Sequence, residues 1–107
     1  MTGGELTPMT SYIVAYPATP GATFDSDYYM ATHMPLVHAT FGPHGLTGSR
    51  VLFADQPDAP FVAVTTLDFA DEAAFAAATS SPDAAAVFAD VANFTTITPT
   101  AMRARSA

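Results

Sequence analysis

The stretch SYIVAYPATPGATFDSDYYMATHMPL, residues 11–36, decides the fold that this sequence predicts. Residues 12–16 are strong β formers and are followed by Pro17, which indicates a strand and its end. The next six residues, ATPGAT, have the composition of a turn. Asp25 then offers an N-cap, so a helix is expected to begin there and to run past His33.

The rest of the chain supplies three more strands and a second helical layer. Residues 46–53 and 61–69 have strand composition and flank a hairpin-like connection, and residues 95–103 predict a weaker fourth strand. Two short helices are expected between the third and fourth strands, in residues 71–78 and 82–90. The order β-α-β-β-α-β predicts an α+β, ferredoxin-like fold, with a four-stranded antiparallel sheet and the helices on one face.

The chain has the length of one domain. Residues 1–10 are polar and glycine-bearing and are expected to form a flexible leader, which leaves residues 11–107 as the domain. The first eight residues contain no Lys or Arg and no apolar run, unlike a signal peptide, and no stretch is as long as a membrane-spanning helix. We therefore expect a cytoplasmic protein.

Composition excludes several classes of function. Ten acidic residues face three arginines and no lysine, and the net charge of −7 disfavours nucleic acid and anionic membrane surfaces as partners. The absence of cysteine excludes disulfides, thiolate nucleophiles and cysteine-bound metals. The sequence has no phosphate-binding glycine loop and no nucleophile elbow, and His33 and His38 lie more than about 100° apart on a helix. We expect no metal and no cofactor.

Three of the predicted strands contain nearly continuous apolar runs, at residues 12–16, 51–54 and 61–64. An antiparallel sheet with one wet face should instead alternate apolar and polar residues. Strong β formers also occur on exposed faces, but large exposed apolar patches are rare on monomers. Because two helices cover only one face, we predict that a second copy covers the other, in a two-fold homodimer.

A polar stripe on the first helix is the candidate for chemistry. Asp25, Tyr29 and His33 are spaced four residues apart, so each step turns the helix face by only about 40°. Histidine can accept or donate a proton near neutral pH, and tyrosine supplies a phenol. We expect His33 to be partly buried beside a cavity, with Tyr29 or a backbone group in hydrogen-bond reach. The structural alternative makes His33 a hydrogen-bonded core residue and Asp25 only a cap.

Pro35 follows His33 by two residues and interrupts the helix. Proline has no N–H, so the Ala31 carbonyl loses its helical partner. Met34, just before the proline, is expected to leave helical geometry. The helix should therefore kink or break beside His33, as helices often do at binding sites.

These residues together resemble the signature of the EthD family, named for a protein associated with bacterial degradation of ethyl tert-butyl ether. The resemblance runs from Ser11 to the end of the chain, and its motifs are Tyr16-Pro17, Phe24-Asp25, Tyr28-Tyr29, His33-Met34-Pro35-Leu36, Gly48 and Asn93-Phe94. It implies ferredoxin-like subunits that pair sheet to sheet as a dimeric α/β barrel. The wider superfamily includes cofactor-independent monooxygenases, polyketide cyclases and lactone isomerases, whose pockets generally lie within each subunit between sheet and helices.

The resemblance and the stripe together predict a cofactor-independent enzyme for a small, mostly apolar organic molecule, of the isomerase, cyclase or monooxygenase type, in bacterial catabolism or secondary metabolism. His33 is predicted to be the general acid or base, and Tyr29 the second catalytic residue. The residues predicted to bind substrate are Asp25, Tyr16 and Phe94. The alternative is a non-catalytic carrier of a small organic ligand. A third is haem binding through His33, which the shortage of cationic side chains for the propionates disfavours.

Overall fold

The computed structural model describes residues 9–106, and within them the chain forms the predicted sheet. All neighbouring strands are antiparallel, in the order β2-β3-β1-β4. The four strands are β1 (Thr10–Pro17), β2 (Leu46–Phe53), β3 (Phe61–Phe69) and β4 (Thr100–Arg105). This order, with the two central strands first and third in the chain, is that of the ferredoxin-like motif.

Helical segments fill the two connections that cross the sheet. The first contains α1 (Ser26–Tyr28), a π-helical turn (Tyr29–His33), α2 (Met34–Phe41) and a 3₁₀ turn (Gly42–His44). The second contains α3 (Glu72–Ser80), α4 (Ala84–Asp90) and a 3₁₀ turn (Val91–Asn93). Within residues 9–106, no helix has the length and apolar composition needed to cross a membrane.

One face of the sheet packs against these helices. The register pairs Tyr12 with Leu67 and Tyr16 with Ala63, and because side chains alternate along a strand, these residues share the covered face. Along β3 every second residue from Ala63 to Phe69 is buried. The buried apolar core consists of Tyr16, Tyr29, Met34, Val37, Phe41, Ala63, Leu67, Phe69, Ala78, Ala84, Val87, Phe94 and Ile97.

The other face of the sheet is open in the single chain. The same alternation places Ile13, Ala15 and Val64 on that face, where they are half-buried by their neighbours. On the flanking strands, Leu52 is 46% exposed and Met102 is 58% exposed. The chain's own helices therefore leave this area uncovered, and the burial expected for it depends on the predicted second copy.

Strands β1 and β4 have boundaries that differ from the predicted ones. β1 begins at Thr10, whose backbone pairs with Phe69 and Arg105. β4 begins at Thr100, because Thr95 instead forms an isolated bridge with Phe24 and its hydroxyl donates to the Thr23 carbonyl at 2.6 Å. Residues 1–8 of the predicted flexible leader lie outside the described residues.

Candidate functional site

Asp25 caps the first helical segment, as the sequence predicts. Its backbone is extended and its carboxylate accepts a hydrogen bond from the Tyr28 N–H at 3.0 Å. Its own N–H donates to the Phe94 carbonyl at 2.8 Å. The start of this helix is thereby tied to the end of the second helical layer, while the Asp25 side chain stays exposed.

The helix passes Pro35 without breaking. The Met34 N–H donates to the Tyr29 carbonyl, five residues back, which defines a π-helical turn over Tyr29–His33. Met34 itself keeps helical angles, φ −64° and ψ −40°, so the prediction that it leaves helical geometry is wrong. The wider turn gives the proline ring room against the preceding turn, and the α-helix resumes with the proline in its first turn.

His33 is buried in contact with an acidic residue from the second helical layer. Its side chain is 6% exposed, and Nδ1 lies 2.9 Å from Oδ2 of Asp90, whose side chain is 11% exposed. Since an ionised carboxylate only accepts hydrogen bonds, His33 donates through Nδ1–H. This fixes the imidazole in one orientation and leaves Nε2 as the nitrogen available for proton transfer, with no partner within residues 9–106.

Asp90 is held by three side chains. The Tyr28 hydroxyl donates to Oδ1 at 2.7 Å, and the Asn93 amide donates to the same oxygen at 2.9 Å. Burial raises the pKa of Asp90, but the hydrogen bonds from Asn93, Tyr28 and His33 outweigh it and set the pKa below its ordinary value of 3.8. The bond to Asp90 in turn raises the pKa of the Tyr28 phenol. At neutral pH the site thus contains a carboxylate beside a neutral phenol.

Tyr29 lies against the imidazole face of His33 and does not bond to its nitrogens. The two rings are nearly parallel, with centroids 5.2 Å apart and an interplanar angle of 22°. The Tyr29 hydroxyl projects past His33 and bonds with the Thr65 hydroxyl on β3 at 2.6 Å. The expectation that Tyr29 or the backbone is the hydrogen-bond partner of His33 is therefore wrong, because stacking directs the phenol oxygen toward the sheet.

The predicted wall residues Tyr16 and Phe94 join Tyr29 and His33 in one aromatic cluster. The Phe94 ring lies 4.7 Å from the His33 ring and 4.9 Å from the Tyr29 ring, centroid to centroid, and Tyr16 lies 5.8 Å from Phe94. Burial raises the pKa of both Tyr16 and Tyr29, so both phenols stay protonated. Four of the five predicted site residues come together, and Asp25 lies at the rim, through its backbone bond to Phe94.

Two cavities formed by the described residues lie away from His33. One has a volume of about 290 Å³ and lies beside the turn after β1; the other, of about 210 Å³, lies at the ends of β2 and β3. At 4% exposure, His33 is more deeply buried than the expected partly buried position. Within residues 9–106, no three His, Cys, Asp or Glu side chains group closely enough to hold a metal ion.

Sequence reasoning missed Asp90, the residue that orients His33. A signal was present, because an acidic side chain at the carboxyl end of a helix is unfavourable next to the negative end of the helix dipole. Asp90 ends α4 between Ala89 and Val91 in an otherwise apolar stretch. A carboxylate in such a place indicates a partner elsewhere. Thr65, the partner of Tyr29, carries no comparable signal.

The sequence model of the EthD domain matches residues 18–98, which contain the first helical connection, His33 and Asp90. The chain belongs to the EthD domain family. An EthD-like protein from Ralstonia eutropha JMP134 is 33% identical, with a TM-score of 0.78 over 92% of this chain and 91% of the other. No curated protein matches the sequence.

More distant solved structures share the fold. An EthD family protein from Bacillus halodurans C-125 has a TM-score of 0.73 at 20% identity, over 92% of this chain and 99% of the other. SnoaB from Streptomyces nogalater, a cofactor-independent oxygenase, has a TM-score of 0.64 at 14% identity, over 94% of this chain and 97% of its own. These similarities confirm the α+β, ferredoxin-like fold of the EthD chain.

Proposed function

We propose that this EthD protein is a cofactor-independent enzyme that moves a proton on a small, mostly apolar organic molecule. The observation that carries the proposal is the buried hydrogen bond between His33 Nδ1 and Asp90 Oδ2, at 2.9 Å, within an aromatic enclosure. An oriented histidine backed by a fixed carboxylate is the arrangement used for general acid–base catalysis. The cofactor-independent oxygenase activity of SnoaB, on a similar fold, supports this class of reaction.

His33 and Asp90 have different roles in the proposed step. Nε2 of the neutral imidazole takes a proton from a carbon or hydroxyl group of the substrate. The imidazole then carries a positive charge, which the Asp90 carboxylate stabilises through Nδ1–H. Asp90 does not take the proton, since its pKa lies below the ordinary value. The substrate anion can then isomerise, cyclise or react with dioxygen, depending on the substrate.

The remaining predicted residues shape and hold the substrate in this proposal. Tyr29 presents a neutral phenol within the cluster, able to donate a hydrogen bond to a substrate oxygen. Tyr16 and Phe94 form the apolar wall. Asp25 contributes through the helix start that it caps, because its own N–H fixes the Phe94 backbone. The π turn that carries Tyr29 and His33 supports a functional role, since such turns are frequent at functional sites.

We also propose that the enzyme is a homodimer joined through the open face of the sheet. Ile13 and Val64 lie centrally on that face, and the side chains of Leu52 and Met102 extend the apolar area to the flanking strands. A second copy related by a two-fold axis would cover the same area on both chains at once. Covering it removes apolar surface that the helices leave exposed on the sheet.

The proton-transfer step can be tested without knowing the natural substrate. 2-Tetralone is a neutral, two-ring ketone with acidic C–H groups next to its carbonyl. In D₂O the protein should accelerate exchange of these protons, followed by ¹H NMR. His33→Gln should reduce the acceleration by at least about 100-fold, within the range that general acid–base catalysis contributes. Asp90→Asn should reduce it less, because His33 remains but loses its orientation.

His38→Gln is the matched control for this experiment. His38 lies on the same helix but is exposed, with Nε2 bonded to Ser49 at 2.7 Å. It should leave the exchange rate unchanged. Equal rates for wild type, His33→Gln and His38→Gln, with all three folded by circular dichroism, would overturn the proposal.

A carrier of a small organic molecule is the second candidate function. The observation in its favour is the enclosure of His33, which is 4% exposed and lines neither cavity. A carrier would bind 2-tetralone, detected as line broadening of the ligand signals, without accelerating exchange. Binding that survives in His33→Gln while exchange is absent in the wild type would favour the carrier.

A further inference from the structure

An open pocket of about 290 Å³ lies between the turn that follows β1 and the loop that precedes β4. Residues from three separate parts of the chain line it, which makes it a feature of the tertiary fold. They are Ala18, Thr19, Pro20, Ala22, Thr23, Phe24, Val62 and Ile97. None of these side chains carries a charge.

The wall of this pocket is built from rigid backbone. The Ala22 N–H donates to the Thr19 carbonyl at 3.0 Å, with Pro20 and Gly21 at the two central positions of the turn. Gly21 has φ +79°, the value that a type II turn requires at its third position and that favours glycine. Proline and glycine thus fix the turn in advance, and little order has to be gained when a ligand binds.

Further hydrogen bonds anchor both ends of the turn. The Ala18 N–H donates to the Pro60 carbonyl at 2.9 Å, which holds the turn against the hairpin. At the other end, the Thr23 N–H donates to the Thr96 hydroxyl at 3.2 Å, and the Thr95 hydroxyl donates to the Thr23 carbonyl at 2.6 Å. The pocket is therefore present before any ligand arrives.

Phe24 belongs both to this pocket and to the aromatic cluster around His33. It lines the pocket, and its ring lies 5.2 Å from the Tyr29 ring and 5.4 Å from the Phe94 ring, centroid to centroid. Tyr29 and Phe94 are the two rings in contact with His33. Phe24, which is half-buried, thus separates the open pocket from the Tyr29 and Phe94 rings, and these rings in turn contact His33.

Resting on the proposed function, we propose that this pocket admits an uncharged one- or two-ring organic molecule, and that Phe24 is the movable wall between the pocket and the aromatic cluster around His33. The pocket volume of about 290 Å³ suits a ligand of one or two rings, since an apolar cavity of about 150 Å³ takes benzene. The uncharged lining and the net charge of −7 disfavour anions. The threonine hydroxyls at the rim can bond one polar group of the ligand.

The pocket is tested with 2-naphthol as the probe and 2-naphthoate as its charged counterpart. Methyl ¹H–¹³C NMR spectra of the wild type should show 2-naphthol shifting the signals of Ala22, Val62 and Ile97. The signal of Ala86, exposed on α4, serves as the reference and should not move. 2-Naphthoate should bind at least tenfold more weakly. No shift, or equal shifts by the two probes, would overturn the pocket.

Two substitutions fill the pocket from different sides. Ala22→Phe occupies the pocket from the turn. Ala18→Trp occupies it from an exposed position, where the hydrogen bond to Pro60 is made by the backbone and does not depend on the side chain. Each should weaken 2-naphthol binding at least tenfold, so the test stands if one variant fails to fold. His33→Gln should keep wild-type affinity, which separates failure of the pocket from failure of the proton-transfer proposal. Unchanged binding in a folded filled variant would overturn the pocket.

The role of Phe24 is tested by Phe24→Ala and Phe24→Leu. Removing the ring joins the pocket to the cluster, so 2-naphthol should shift the imidazole signals of His33 more strongly in either variant than in the wild type. Phe24→Leu leaves an apolar side chain in the wall and is the variant to read if Phe24→Ala fails to fold. If 2-naphthol binds but the His33 signals respond equally in all three proteins, Phe24 is not the wall.

Discussion

The two faces of the sheet differ in how their polar groups are treated. The helix-covered face encloses hydroxyls, a carboxylate and an imidazole, and within the described residues every fully buried side-chain nitrogen or oxygen has a hydrogen-bond partner, so His33 Nε2, which has none, keeps some contact with solvent. The centre of the open face is mostly apolar: Ile13, Ala15 and Val64 lie there, with Thr66 opposite Ile13. Burying polar groups costs free energy unless each one is hydrogen-bonded. Stability alone would therefore favour burying an apolar surface, such as that of the open face.

The difference between the faces supports the proposal that the covered face carries the chemistry and the open face the assembly. The His33, Asp90 and Tyr28 network lies among aromatic rings, where each hydrogen bond is needed to offset desolvation. Such a costly arrangement is typical of a functional site. The open face makes no such demand, because apolar contact with the proposed second copy would be sufficient to bury it.

Truncation of a core ring should separate the two faces most clearly. Phe69 is fully buried on the covered face, with Phe75 at 5.5 Å between ring centroids. Phe69→Ala should lower the free energy of unfolding by about 3–5 kcal/mol, measured by urea denaturation. Met102→Ala on the open face, measured at a protein concentration at which light scattering gives the monomer mass, should cost less than about 0.5 kcal/mol. A loss at Met102 similar to that at Phe69 under this condition would contradict the difference between the two faces in the single chain.

A charge at the centre of the open face tests the proposed dimer. Light scattering should give twice the monomer mass of 11.1 kDa for the wild type. Ile13→Glu should weaken association by about 100-fold, or ~2.7 kcal/mol, because each dimer would bury two unpaired carboxylates. Ala86→Glu, on the exposed side of α4, is the control and should leave the mass unchanged. A monomeric wild type at micromolar concentration would contradict the assembly half of the comparison.

Replacing the buried carboxylate should give a pH-dependent loss. Because hydrogen bonds lower the folded pKa of Asp90 below 3.8, its contribution to stability is present above that pH and is lost as the pH falls through the folded pKa. Asp90→Asn should therefore be less stable than the wild type near pH 7, by about 1–2 kcal/mol. In urea denaturation, the two proteins should converge in stability as the pH falls through the folded pKa of Asp90, which lies below 3.8. A stability difference between the two proteins that grows on acidification would mean that the folded state raises the pKa of Asp90.

The smallest expected effect comes from a single hydroxyl. Tyr28→Phe removes the bond to Asp90 Oδ1, which favours the ionised carboxylate. The pKa of Asp90 should rise toward its ordinary value, read from the ¹³C carboxyl signal in an NMR titration. Tyr12→Phe, which keeps its packing on Phe75 at 5.1 Å between ring centroids, is the control and should leave the titration of Asp90 where it is. An unshifted titration in Tyr28→Phe would remove Tyr28 from the network.

Local sequence signals were sufficient for most of the fold. Strands β2 and β3 lie where their composition predicts, and Asp25 caps the helix as expected, because β propensity and capping depend on neighbouring residues. The start of β4 was wrong because it depends on a contact distant in the chain, between Thr95 and the segment around Phe24. The continuity of the helix at Pro35 was also missed, since a π turn has no simple composition.

Only the part of the candidate site that lies on the first helical connection was predictable from the sequence. Tyr29 and His33 share a helix, and their spacing brings them together in any helical turn. Asp90 and Thr65 reach them from elements 57 and 36 residues away along the chain. No periodicity connects such positions, so the orientation of His33 and the destination of the Tyr29 hydroxyl follow only from the packing of the helices on the sheet.

The π turn also sets the angular relation between the two halves of its helix. One additional residue in a helical turn rotates everything after it by about 100° relative to a regular α-helix. Tyr29 and His33 can therefore point at the sheet and at Asp90, while Met34, Val37 and Phe41 are still delivered to the core. Deleting one residue from this turn would restore an uninterrupted α-helix, but the imidazole and the core side chains could then no longer both face their present partners. The extra residue lets one short helix direct His33 toward Asp90 and its later side chains toward the core.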